Sequence, residues 1–141
     1  MSRDRRAWLV PLAFLAFVSL GLPEGVLGVA WPSLRRSFDR PIDQLGLILL
    51  PMTAGYLASS FSAGAVLARL GVGRLLVAGS LLVAASAVSW AATPWWPGIA
   101  AGGFVSGLGA GAIDAAINAF AAARFTPRVI TWLHACWGLG A

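Results

Sequence analysis

Two carboxylates stand inside long apolar runs, Glu24 and Asp114. A carboxylate in hydrocarbon costs at least about 2.5–3.5 kcal/mol on insertion scales, so such a residue faces a cavity or a partner. Glu24 lies eleven residues before Arg35, and Asp114 lies ten residues before Arg124. At 1.5 Å per helical residue these acids sit about 16 Å and about 15 Å from opposite surfaces. In a core about 30 Å thick both fall near the midplane. Midplane polar groups on different helices are what a solute-transport site requires.

Glu24 belongs to Gly21-Leu22-Pro23-Glu24-Gly25. Proline removes a backbone donor and kinks a helix, and the flanking glycines loosen it further. Freed carbonyls then need a cavity or other protein. The alternative is a kinked helix whose glutamate pairs with an arginine or stays protonated. Asp114 and Asn118 are four residues apart and share a helix face with Gly111. A titratable carboxyl beside a neutral amide suits sugar hydroxyls or a proton relay, or else it is interhelical hydrogen-bonding glue. His134 either lines a cavity or is a helix-start histidine near the interface. With Cys136 alone beside it, no metal site is expected.

Enzyme chemistry finds no foothold. The run Gly107-Leu108-Gly109-Ala110-Gly111-Ala112 has the spacing of a dinucleotide fingerprint. That motif needs a preceding strand and an acid about 20 residues on, and neither is present. A Cys-His nucleophile pair lacks an orienting third group. No catalytic residue, metal or cofactor is expected.

The elements that carry these residues follow from the charge pattern. Apolar runs predict helices over about 8–34, 44–68, 75–92 and 97–123, with an incomplete one over 131–141. The charge-free stretch 75–113 is too long for one span, and Thr93-Pro94-Trp95-Trp96-Pro97-Gly98 divides it. Arg69 to Arg74 reads as a tight glycine-rich loop. Gly103, Gly107 and Gly111 repeat every four residues on one helix, Gly21 and Gly25 do so on another, and Gly55, Ser59 and Ala63 give a third a similar face. Small residues on one face let helix backbones approach closely in lipid.

Composition agrees. Of 141 residues 59% are hydrophobic and 11% charged, and all ten basic residues are arginine. An average soluble domain carries about 25% charged residues, so the solvent expected here is the lipid bilayer. A net charge of +5 would suggest nucleic acid in a soluble protein. Here the arginines sit in short clusters between apolar runs, so no nucleic-acid partner is expected. Arg3, Arg5, Arg6, Arg69, Arg74, Arg124 and Arg128 fall on one side, and Arg35, Arg36 and Arg40 on the other. That asymmetry predicts a cytoplasmic N-terminus. Glu24 and the spans that follow argue for an uncleaved first span over a signal peptide.

Four stretches carry a family resemblance. Gly64-Ala65-Val66-Leu67-Ala68-Arg69-Leu70-Gly71-Val72-Gly73-Arg74 resembles the loop signature of the major facilitator superfamily, with Ala68 at the family's aspartate position. Gly21-Leu22-Pro23-Glu24-Gly25-Val26-Leu27-Gly28-Val29-Ala30-Trp31-Pro32 and Gly111-Ala112-Ile113-Asp114-Ala115-Ala116-Ile117-Asn118 resemble its sugar permeases of the fucose type. Leu133-His134-Ala135-Cys136-Trp137-Gly138-Leu139-Gly140-Ala141 is similar to the start of that group's fifth helix.

The resemblance implies an all-α polytopic membrane protein, with four transmembrane helices plus the start of a fifth, the N-terminal portion of a six-helix half. It implies a cytoplasmic gating loop through Gly64, Arg69, Gly71 and Arg74. A central cavity would hold Glu24, Asp114, Asn118 and His134. The expected function is movement of a small solute, sugar-like or drug-like, coupled to protons, in the cell inner membrane. The chain then reads as truncated and inactive alone, its partners being the C-terminal helices of the same transporter. Two other readings stand beside it: a small four-helix dimeric multidrug exporter, and a non-transporting membrane assembly module.

Overall fold

A computed structural model describes residues 3–141, with side chains from residue 11 onward. The side chains of Arg3, Arg5 and Arg6 therefore lie outside the described residues. The described chain is helical throughout: α1 (Arg3–Ser37), a short 3-10 turn (Ile42–Leu45), α2 (Gly46–Ala92), α3 (Trp96–Arg124) and α4 (Pro127–Gly140). Among the described residues three helices are long and apolar enough to cross a membrane, within Pro11–Ser37, Ile42–Ala92 and Trp96–Arg124. The count differs from the expected four and a fifth because α2 is two helices that meet directly at a kink at Gly71, with no separate connection between them.

The chain divides into two compact units, one formed by residues up to Val29 with Ile117–Ala141, the other by Ala30–Ala116. In the second unit α1 ends in a Schellman closure. The Arg40 N–H donates to the Arg35 carbonyl at 2.8 Å and the Asp39 N–H to Arg36 at 3.3 Å. Asp39 takes φ +50°, a left-handed position that aspartate tolerates better than most residues.

The expected loop at 69–74 is not a loop. Helix runs up to it and resumes at once, and only Gly71 departs, at φ 75° and ψ 166°. That region is essentially restricted to glycine. The contacts on α3 show what this residue does. Along 46–70, Ile48, Met52 and Tyr56 meet Gly103, Gly107 and Gly111 in rising order. Along 72–92 the order falls: Gly79 meets Gly109 and Ile113, and Trp90 meets Gly102. The first arm of α2 therefore runs parallel to α3 and the second antiparallel. One glycine reverses the chain, and Leu75, Ala112 and Ala116 pack beneath it with Val66, Leu67, Val72 and Leu76.

Close approach within this unit depends on missing side chains. A Cβ on Gly109 would lie 2.6 Å from the Gly79 carbonyl oxygen, and one on Gly103 would lie 2.8 Å from that of Ile48. In the first unit α1 and α4 run parallel. The Phe17 ring meets His134, and Gly21 and Gly25 lie against Trp137, Gly140 and Ala141. Helix runs on both sides of Pro23, and Glu24 lies within the continuous element α1.

Candidate functional site

The first arm of α2 carries no charge before Arg69, and α3 carries none before Asp114. Into this apolar setting the structure brings one polar pair. The Tyr56 hydroxyl donates to Oδ2 of Asp114 at 2.8 Å. Phenol to carboxylate is a charge-assisted bond, shorter and stronger than one between neutral groups. Asp114 is half-buried, while Tyr56 is 37% exposed. Ser59 and Ser60 extend the polar side of the arm and lie against Gly111. The arrangement offers an acid oxygen, a phenol and two hydroxyls within a largely apolar span.

Glu24, Asn118 and His134 belong to the other compact unit. Glu24 is exposed on α1, and Asn118 is half-buried on α3. The exposed His134 imidazole stands edge-on to Phe17, with ring centroids 5.2 Å apart and planes at 87°. Of the expected gating residues, Gly64, Arg69 and Arg74 are exposed on the helical arms flanking Gly71. Among the described residues no group of three His, Cys, Asp or Glu side chains could hold a metal ion.

Tyr56 was not singled out by its sequence context, although a signal exists. It is the only tyrosine in the chain, and it falls inside a charge-free span three residues before Ser59. A second cluster also went unread. Trp31, Phe38 and Arg40 gather on Trp96, with the Arg40 guanidinium 5.4 Å from that ring centroid. Its four members come from the end of α1, the connection after it and the start of α3. Nothing in their spacing marks them as neighbours.

With helices of this kind and a carboxylate inside them, kinship becomes the deciding observation. The sequence model described as Major Facilitator Superfamily matches residues 13–141. The chain belongs to the major facilitator superfamily. It is a multi-pass membrane protein and a transporter of the major facilitator type. No curated protein and no solved structure matches it. In this major facilitator chain, Gly71 is where α2 turns back, and Asp114 is the acid that α3 carries inward of its Arg124 end.

Proposed function

We propose that this transporter moves a small solute, sugar-like or drug-like, and couples the movement to protons. Glu24, Asp114, Asn118 and His134 are the residues assigned to its cavity, and Gly64, Arg69, Gly71 and Arg74 to a gating turn at the cytoplasmic face. On this reading α2 crosses the bilayer twice, so that α1, the two arms of α2 and α3 are four crossings. The α4 helix, parallel to α1, belongs to a fifth. The protein sits in the inner membrane with its N-terminus in the cytoplasm, in keeping with its arginine asymmetry. Its work is transport rather than catalysis, and its sequence resembles the sugar-permease subgroup.

One observation carries the reading. Asp114 holds a carboxylate in the interior of an apolar helix, and a tyrosine from a neighbouring arm engages it at 2.8 Å. Keeping an acid there costs several kcal/mol, which a purely structural helix has no reason to bear. Membership of the superfamily favours this over a small dimeric exporter. The same hydrogen bond would also serve as interhelical glue, as in a non-transporting assembly module.

The test is uptake of labelled sugars and labelled cationic drugs by cells expressing the gene that encodes this chain. Asp114→Asn and Glu24→Gln are expected to lower uptake at least about tenfold with equal protein in the membrane, the loss of one charged contact. A protonophore is expected to abolish accumulation. Full uptake by both variants would overturn the cavity assignment in favour of glue. Accumulation that survives the protonophore would overturn proton coupling.

A further inference from the structure

We propose that Thr53 and Ser60 line the solute path on the first arm of α2, and that their hydroxyls bind a solute rich in hydroxyl groups, a hexose or similar polyol rather than a cationic drug. The proposal deepens the transport function argued above and rests on it.

Thr53, Tyr56 and Ser60 stand three and four residues apart, so they share one face of the arm. Seven residues separate the outer two, about 10 Å along the axis at 1.5 Å per residue. At Ser60 this face meets α3. The Ser60 Oγ lies 3.3 Å from where a Cβ on Gly111 would stand, and Asp114 follows Gly111 by three residues. The Tyr56 hydroxyl, between the other two, donates to Asp114. Thr53 is exposed and Ser60 half-buried.

The direction of the hydroxyl bonds sets this face apart. A serine or threonine inside a helix can donate to the carbonyl four residues back, which hides its polarity from lipid. Ser19, Ser37 and Thr131 do so at 2.9, 3.2 and 3.1 Å. So does Ser62, on this same arm, to the Ala58 carbonyl at 2.8 Å. Thr53 and Ser60 each have a helical carbonyl four residues earlier, at Leu49 and Tyr56. They donate to neither, nor to any other acceptor among the described residues. Ser62 is nine residues from Thr53, about half a revolution at 3.6 residues per turn. One side of the arm thus closes its hydroxyl onto its own backbone, and the other side does not.

A hydroxyl without a partner is costly to hold in hydrocarbon. The Ser62 side suits lipid, and the Thr53 and Ser60 side suits water or a hydrated solute. A hydroxyl both donates and accepts, and so does its counterpart on a polyol. Two hydroxyls in a row, beside a phenol and a carboxylate, match a solute that carries several such groups. A cationic drug offers them little to bind.

The experiment has two arms, both on the protein expressed from the full gene. In the first, Thr53→Cys, Ser60→Cys and Ser62→Cys, each in an otherwise cysteine-free background, meet a small membrane-impermeant methanethiosulfonate reagent. The reacting thiolate forms in water and not in lipid, so Thr53→Cys and Ser60→Cys are expected to react at least about tenfold faster than Ser62→Cys. Added hexose is expected to slow those two. Equal rates at all three positions would overturn the water-facing strip. In the second arm, KM and maximal rate of labelled hexose uptake are read at equal membrane abundance. Thr53→Val and Ser60→Ala are each expected to raise KM about threefold to tenfold, the weight of one hydrogen bond between neutral groups, with the maximal rate kept. Ser62→Ala is expected to leave KM unchanged. An unchanged KM in both Thr53→Val and Ser60→Ala would overturn the binding role. Uptake of a labelled cationic drug but of no hexose would overturn the solute class while leaving transport standing. Uptake of neither would overturn the transport function and this proposal with it.

Discussion

The indole N–H of Trp90 donates to the carbonyl oxygen of Ile99 at 2.9 Å, joining the end of α2 to the start of α3. The Ser86 hydroxyl, on a residue 2% exposed, donates to the Gly102 carbonyl at 2.7 Å. These two bonds close the connection at 93–95 with side chains from one helix onto backbone of the next. Interhelical bonds of this sort in a membrane average about 0.6 kcal/mol, with a maximum near 1.7. Trp90→Phe and Ser86→Ala are each expected to lower the unfolding midpoint in detergent by that order. Thermal unfolding followed by tryptophan fluorescence for Ser86→Ala, and by circular dichroism for both, checks this. Unchanged midpoints would show that the bonds only follow the packing.

Gly107 makes a sharper case. A Cβ there would run into the Met52 carbonyl oxygen, which is backbone and has no rotamer to retreat into. Gly107→Ala is expected to destabilise by about 1–3 kcal/mol, the usual scale of overpacking. Gly28, where a Cβ meets nothing within 4 Å, is the control. Gly28→Ala is expected to be neutral or to stabilise by up to about 1 kcal/mol through helix propensity alone. Equal effects at the two sites would refute the close-approach explanation.

Gly71 and Gly73 separate backbone strain from packing. Neither has an atom within 4 Å of an added Cβ, yet only Gly71 has positive φ. Gly71→Ala is expected to cost about 1–3 kcal/mol, the range for a residue held outside its allowed region. Gly73→Ala is expected to cost nothing. Chemical denaturation of the two variants side by side would decide, and a tolerated Gly71→Ala would mean that the turn relaxes to another conformation.

The proposed orientation yields a labelling pattern. With Cys136 replaced by serine, Ser37→Cys at the end of α1 is expected to react with a membrane-impermeant maleimide in intact cells. Thr126→Cys, between α3 and α4, is expected to react only after permeabilisation. Both positions are exposed, so accessibility depends on the side of the membrane alone. The reverse pattern would place the N-terminus outside.

Much of the fold was legible residue by residue. The break at 93–95 is announced by Thr93-Pro94-Trp95 and the following Pro97, because two prolines so close cannot both be accommodated inside one helix. The Gly103, Gly107, Gly111 repeat identifies a contact face, because a period of four keeps returning to one side of a helix. The turn at 69–74 is legible in place but not in length. Glycine and arginine mark a change of direction but not its length, and helical bonding resumes at Val72 with a single residue spent.

The candidate site was legible by half. Asp114 is conspicuous because a charge in hydrocarbon is expensive wherever it points. Tyr56 is not, because a tyrosine inside an apolar span costs little and draws no attention.

Sequence by itself determined the solvent of this protein, where its apolar helices lie, the charge asymmetry across them, and the face on which α3 is packed. Those are properties of composition and period, felt by each segment alone in water or lipid. Only the tertiary structure decided that Met52 and Tyr56 are the residues that meet Gly107 and Gly111, and so that the phenol reaches Asp114. Two residues 58 apart become partners through the rotational phase and register of two helices. That register is set where glycine lets backbone touch backbone, and a displacement of one residue would turn the hydroxyl to another face.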